Sequence, residues 1–287
     1  MQRKPEWLKV KMTSTAHLNK VNKVLNSLKL NTVCQAANCP NRLECFSSQT
    51  ATFMILGTVC TRHCKFCNVK DGHTSAVDLE EPQRIAQAVK ALDLKHTVIT
   101  SVTRDDLNDQ GTGQFIACIK AIRTSSPQVT IEVLTPDFKG NKDLIRSVAE
   151  ACPDIYNHNI ETVSNLYQDV RPEASYKQSL NLLEQVKEEF PKILTKSGIM
   201  LGLGETRDQV ETTLKDLKQV GCNILTIGQY LPPSKDHYPL QAYIDPEEFK
   251  YYEEFAKTLG FDYVASSPLV RSSYKAAEAQ NIIKLKK

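Results

Sequence analysis

From about residue 50 onward, short β-rich apolar runs alternate with amphipathic stretches of helical period. The runs 52–56, 97–101, 129–134, 154–158, 194–201 and 223–228 predict strands. They are nearly continuous in apolar residues rather than alternating, as expected for a parallel sheet covered by helices. Helices are predicted near 81–92, 112–124, 141–151, 161–190 (broken at Pro172) and 207–220. In the 112–124 segment Phe115, Cys118, Ile119 and Ile122 stand at i, i+3, i+4 and i+7, which is one buried helical face. Val210, Leu214 and Leu217 repeat that spacing. Six βα units in series predict an α/β fold, a partial TIM-type (β/α)6 barrel, over residues 51–235. Residues 1–50 and 236–287 then form extensions. The first carries a helix over 16–30 with Leu18, Val21, Leu25 and Leu28 on one face. The second adds a Tyr/Phe-rich helix, a strand-like run at 261–265 and a basic tail, Lys284-Leu285-Lys286-Lys287, that reads as a solvated surface.

Polar residues collect where each strand ends. Gly57-Thr58-Val59-Cys60 follow the first, Ser101-Val102-Thr103-Arg104-Asp105 the second, and Thr135-Pro136-Asp137 the third. Asn157-His158-Asn159 and Glu161 close the fourth, Gly202-Leu203-Gly204-Glu205 the fifth, and Gln229-Tyr230 the sixth. Barrel enzymes keep their chemistry at that face, so the layout is that of an enzyme.

Composition narrows the class. In 287 residues, 36 Lys and Arg oppose 33 Asp and Glu, and the net charge of +3 argues against nucleic-acid binding. With 41% hydrophobic and 24% charged residues, disorder is not expected. No apolar run approaches the roughly 18 residues of a spanning helix. Met1-Gln2-Arg3-Lys4-Pro5-Glu6 lacks the apolar centre of a secretory signal, so a soluble, cytoplasmic protein is expected.

Nine cysteines are unevenly placed: six lie between Cys34 and Cys67, and Cys118, Cys152 and Cys222 are scattered. The scattered three read as small buried hydrophobes. Six clustered thiols in a large chain point to metal rather than to a disulfide framework. Cys60-x3-Cys64-x2-Cys67 follows the first strand, and three thiolates on one loop suit three corners of a cubane iron–sulfur cluster with one iron left open. A zinc knuckle with His63 or His73 as fourth ligand uses similar spacing. The position after the first strand favours iron–sulfur.

That motif, with Phe66 just before its last cysteine, resembles the radical S-adenosylmethionine (SAM) superfamily. The resemblance implies that the open iron is chelated by the amino and carboxylate groups of SAM, and that one-electron reduction yields a 5′-deoxyadenosyl radical. Gly198-Ile199-Met200-Leu201-Gly202-Leu203-Gly204-Glu205 is similar to the superfamily's adenosine-lining strand, and Ser101 takes the position facing the methionine amine. Gly202, Glu205, Phe66 and Ser101 are therefore implied cofactor contacts, with Asn157 and Arg171 as candidates for SAM or substrate. His158 and Asn159 stand beside these candidates, and a lone histidine such as His158 reads as a satisfied core or surface group before a ligand.

A second triplet, Cys34-x4-Cys39-x5-Cys45, precedes the barrel, and Arg271-Ser272-Ser273-Tyr274 stands near the C-terminus. This combination resembles the lipoyl synthase family, as do Pro5-Glu6-Trp7-Leu8-Lys9 and Thr226-Ile227-Gly228-Gln229-Tyr230-Leu231. Lys275 after the tyrosine and Ala242 before Tyr243 depart from the family pattern. The resemblance implies two 4Fe-4S clusters: one on Cys60, Cys64 and Cys67 that cleaves SAM, and an auxiliary one on Cys34, Cys39, Cys45 and a serine that donates sulfur. Ser273 is the expected ligand and Ser272 the alternative. The implied reaction inserts sulfur at C6 and C8 of an octanoyl chain on a lysine of a carrier, either a glycine-cleavage H protein or a dehydrogenase E2 lipoyl domain. An electron donor such as ferredoxin or flavodoxin and an iron–sulfur cluster carrier are implied partners. Another two-cluster sulfur inserter or methylthiotransferase, and a zinc-stabilised binding module, are the competing readings.

Overall fold

The computed structural model describes residues 3–9, 16–36, 39, 41, 44, 45 and 50–273. The Leu18 side chain, Tyr274, Lys275 and the basic tail lie outside the described residues. After helix α1 (Ala16–Ser27) come β1 (Asn31–Thr32) and the single turn α2 (Val33–Ala36). The main strands are β2 (Thr50–Ile55), β5 (His96–Ser101), β6 (Thr130–Leu134), β7 (Ile155–Asn157), β8 (Leu194–Leu201), β9 (Ile224–Gln229) and β10 (Tyr263–Ser266). The eight-stranded sheet runs β1-β2-β5-β6-β7-β8-β9-β10, with β1 antiparallel at one edge and every other pair parallel. It is the expected partial barrel, extended by the strand near 261–265. A separate two-stranded ladder, β3 (Val59–Cys60) with β4 (Lys70–Asp71), was not legible in the sequence.

Helices α3 (Glu81–Ala91), α4 (Thr112–Ser125), α5 (Lys142–Glu150), α6 (Tyr167–Val170), α7 (Tyr176–Glu189), α8 (Arg207–Gln219) and α9 (Pro246–Leu259) complete the units. Their starts are chemically marked. Asn141 caps α5, Ser175 caps α7, Asp245 followed by Pro246 caps α9, and Thr206 with Gln209 closes a capping box on α8. Phe115, Cys118, Ile119 and Ile122 are all buried, as their spacing predicted. The helical stretch expected over 161–190 is interrupted around Pro172 as predicted, between the short α6 and α7, but it starts later than expected, with a 3-10 turn over Ser164–Leu166. Glu161, at φ 65, bridges Ile199 on β8, so the chain there extends the sheet edge before any helix can start. Cys118 and Cys222 are buried, but Cys152 is exposed. It follows α5 at φ 57, a left-handed position that ends the helix and turns its thiol outward onto the Glu150 carbonyl at 3.3 Å. Among the described residues no helix is long and apolar enough to cross a membrane.

Candidate active site

The loop between β3 and β4 carries Cys64 and Cys67, and Cys60 ends β3. Arg62 pins this loop to the barrel. Its guanidinium pairs with Asp105 beyond β5 at 2.7 and 3.0 Å and with Asp137 beyond β6 at 2.8 Å. Burial would raise the Asp137 carboxyl, but Arg62 holds it below the usual carboxylate range. The Thr61 N–H donates to Thr103 O and the Lys65 N–H to Val170 O, both at 3.0 Å. Cys60 Sγ accepts backbone N–H groups from Arg62 at 3.4 Å and Thr103 at 3.3 Å.

Burial raises the thiols of Cys64 and Cys67, the latter to about 12, and the neighbouring sulfurs raise them further. Arg171 beside Cys64 works the other way. Three sulfurs in one electrostatic neighbourhood become thiolates when a cation takes them, which is how a metal couples to such a site. None of the nine cysteines forms a disulfide. Among the described residues no three His, Cys, Asp or Glu side chains converge on a single-ion position. A cubane asks for a different arrangement, because each of its cysteines binds a different iron. His63 is exposed, with its ring between Glu173 at 2.9 Å and Asp71 at 3.0 Å, and His73 is exposed as well. The two histidines named for a zinc knuckle are thus turned to solvent.

At the mouth of the barrel Phe66 packs with Val170, Leu203 and Tyr230. Beside them Gly202 sits at φ 100, and a Cβ there would lie 2.3 Å from Gln229 Nε2 and 2.4 Å from the Ala242 carbonyl oxygen. No other residue fits that turn. Both Glu205 oxygens accept backbone N–H groups, from Gly202 at 2.6 Å and Leu203 at 2.9 Å, so this carboxylate shapes the turn. Arg171 is buried and donates to Asn159 O at 3.0 Å and to Tyr167 Oη at 3.2 Å. Ser101 Oγ, Asn157 Oδ1 and Arg171 Nε are among the buried polar atoms at this face that have no partner among the described residues. Buried polar atoms are nearly always bonded, so an apolar wall facing unpaired polar atoms fits a ligand with a flat ring system and a charged end. SAM is such a ligand.

The segment that carries the second triplet meets a distant part of the chain. Cys34 is buried on α2, and burial, then Cys39, raises its thiol to about 11. The Cys39 N–H donates to Cys34 O and the Cys45 N–H to Asn41 O, both at 3.0 Å. Asn41 Nδ2 donates to Leu269 O at 2.5 Å, tying this segment to the C-terminal one. Burial pulls Arg271 below the usual guanidinium value, and the nearby Cys39 pushes it back up. The C-terminal segment lies close over the end of β9, since a Cβ on Gly228 would be 2.1 Å from Val270 O. Ser272 sits between Asn157 (3.0 Å) and Asn159 (2.9 Å), whereas the Ser273 hydroxyl bonds to none of the described residues.

His158 is the satisfied core histidine expected. Nδ1 lies 2.9 Å from Thr135 O and Nε2 3.1 Å from Ser179 Oγ; a carbonyl only accepts, so Nδ1 carries the proton. Two features escaped the sequence reading. One is the Arg62 anchor. The other is a buried cluster of His96, Glu132 and Lys196 inside the barrel, with Lys196 Nζ on Glu132 Oε1 at 2.8 Å. Burial would raise Glu132, but Lys196 and His96 overcome it and hold the carboxyl down at about 2. A charged residue in the middle of an apolar strand, twice over, was the available signal.

A barrel with cysteines after its first strand and an unpaired polar rim defines a radical SAM fold, and residues 54–217 match the Radical SAM superfamily. Two solved structures share that fold: methylornithine synthase (TM-score 0.57, 13% identity, 85% of this chain and 81% of the other) and SuiB of Streptococcus suis bound to S-adenosylmethionine (TM-score 0.59, 10% identity, 78% and 53%). Over nearly its whole length the chain is similar to lipoyl synthase of Alkaliphilus metalliredigens, 55% identical across 97% of this chain and 96% of the relative. The lipoyl synthase of Caldanaerobacter subterraneus subsp. tengcongensis is 56% identical across 96% of both. The chain belongs to the lipoyl synthase family. Its cofactors are SAM and 4Fe-4S clusters, and its protein substrate is an acylated carrier.

Proposed function

We propose that Cys60, Cys64 and Cys67 hold the SAM-cleaving cluster, that Cys34, Cys39, Cys45 and Ser273 hold the auxiliary one, and that the chain thereby converts a protein-bound octanoyl-lysine to its lipoyl form. The observation that carries this reading is the meeting of the 39–41 and 269–272 segments at the barrel mouth: Asn41 bonds Leu269, Cys39 acts electrostatically on Arg271, and Ser272 bonds Asn157. That arrangement supports a sulfur-donating set on the same face as the radical-generating one. C6 and C8 of the substrate are saturated carbons without acidic hydrogens, so side-chain acid–base catalysis cannot open them. When bound, the cofactors supply a carbon-centred radical for hydrogen removal and sulfide for the new bonds.

The protein binds, orients and keeps water out. Phe66 and Leu203 offer an apolar wall to the adenosine, and the Gly202 turn held by Glu205 lets the ligand approach the backbone. Ser101, Asn157 and Arg171 face the polar end of SAM with their unpaired atoms. The Arg62 pairs keep the cysteine loop registered against β5 and β6. A serine oxygen is a harder and poorer partner for iron than thiolate, so Ser273 would hold its iron less firmly than Cys34, Cys39 and Cys45 would hold theirs. The Ser272 hydroxyl is already shared between two asparagines, which favours Ser273 over its neighbour.

The finer partners follow from the same reading. The carrier is a glycine-cleavage H protein or a dehydrogenase E2 lipoyl domain, ferredoxin or flavodoxin supplies electrons, an iron–sulfur carrier rebuilds the auxiliary cluster, and the compartment is the cytoplasm. The test is anoxic incubation with SAM, a reductant and an octanoyl-lysine peptide. Mass analysis should show two sulfur atoms gained on the octanoyl chain. Protein that holds both clusters and cleaves SAM but adds no sulfur would overturn the reading.

A further inference from the structure

We propose that the buried Lys196–Glu132 ion pair is a positioning device that, through Asn157 and Ser272, fixes the 268–273 segment across the barrel mouth. The proposal rests on the auxiliary-site reading above and adds residues that no motif singled out. Four strands supply the network: His96 on β5, Glu132 on β6, Asn157 on β7 and Lys196 on β8, none more than 1% exposed. Lys196 Nζ and Asn157 Nδ2 both donate to Glu132 Oε1 at 2.8 Å, and His96 Nε2 lies 3.2 Å from Oε2.

A fully buried charge pair is poor evidence of stabilisation, since apolar side chains of the same volume often serve as well. What they could not do is orient the Asn157 amide. With one Nδ2 hydrogen committed to Glu132, the other reaches Ser272 Oγ at 3.0 Å. Ser272 in turn donates to Asn159 Oδ1 at 2.9 Å, and Asn159 Nδ2 donates to Glu161 Oε1 at 3.0 Å. That last bond sets which way the Asn159 amide points and leaves its Oδ1 to accept the Ser272 hydroxyl. The Ser272 proton is therefore in use. As an iron-bound alkoxide, Ser272 would set a lone pair against Asn159 Oδ1. Ser272 is the anchor, which leaves Ser273, one residue on, as the serine whose hydroxyl is not committed to the barrel.

The test uses the full-length holoenzyme. Ser272→Ala removes the anchored hydroxyl, and Ser272→Thr restores it. Glu132→Gln combined with Lys196→Met neutralises the pair together, because either change alone would strand a charge in the core. Tryptic cleavage after Arg271, followed by mass spectrometry, should accelerate at least about tenfold in Ser272→Ala and in the double variant, the worth of one or two hydrogen bonds. Ser272→Thr should return to the wild-type rate. The auxiliary-cluster EPR signal, recorded with Cys60, Cys64 and Cys67 changed to Ala, should shift in the same two variants. SAM cleavage by Ser272→Ala should stay within about twofold of wild type, less than one hydrogen bond is worth. Wild-type proteolysis and an unshifted signal in Ser272→Ala and in the double variant would overturn the proposal. A signal restored by Ser272→Cys but not by Ser272→Thr would make Ser272 the ligand and also overturn it. Proteolysis needs no turnover, so a wild-type protein that inserts no sulfur would count against the functional reading alone.

Discussion

The two cysteine sets are built in opposite ways. Cys60, Cys64 and Cys67 share one short loop, held by backbone bonds to Thr103 and Val170 and by the Arg62 pairs with Asp105 and Asp137. Cys34, Cys39 and Cys45 depend on a contact between Asn41 and Leu269, 228 residues apart in sequence, and on Arg271 beside Cys39. A local site keeps its shape whatever the termini do. A site closed by both chain ends can open without disturbing the barrel. On the proposed reading, that difference would suit one set that holds a cluster kept through turnover and another whose cluster is consumed.

The comparison can be broken most directly at the ligands. Cys64→Ala should lower reductive SAM cleavage by at least about a thousandfold, because the cofactor carries that chemistry. Cys39→Ala should abolish sulfur insertion just as thoroughly while SAM cleavage, read as 5′-deoxyadenosine by chromatography, persists. Loss of SAM cleavage in both variants would mean that the two sets are not independent.

The bed under the loop offers a pH test. Burial, then Arg171, lowers His158 from 6.5 to about 4, with Arg62 acting the same way and Asp137 against them. A depressed folded value favours the neutral ring, so its contribution is full above pH 6.5 and is lost as the pH falls towards 4. The loss is on the order of a few kcal/mol. Thermal melts from pH 7 to pH 4 should therefore fall less steeply in His158→Gln than in wild type; parallel curves would remove His158 from the account.

Ser273→Cys should assemble a full complement of iron yet turn over about tenfold more slowly, as expected when a weak oxygen ligand becomes thiolate. Full activity in that variant would remove the reason for a serine. The smallest effect belongs to His63→Gln. Its exposed ion pairs are worth little, so iron content and SAM cleavage should stay within about twofold. Loss of metal there would revive the zinc reading.

Much of this was legible from residue order. The strand and helix runs predicted the βα series because continuous apolar strands and helical stripes are local patterns, and Phe115 to Ile122 buried the face their spacing marked. The Cys60, Cys64 and Cys67 motif was readable because its three thiols share one short loop. Local pattern could not show that Cys152, at a left-handed helix end, turns outward, or that Glu161 extends the sheet edge.

The sequence by itself determined the barrel class and the two cysteine sets, since each is a periodicity or a spacing along the chain, while Ser272 and Ser273 were marked only by the family resemblance. Only the tertiary structure decided that Arg62 pins the loop, that Glu132 and Lys196 neutralise each other inside the barrel, and that Ser272 is taken by two asparagines. Those outcomes depend on side chains from separate strands meeting in a dry interior, where charges persist only in pairs.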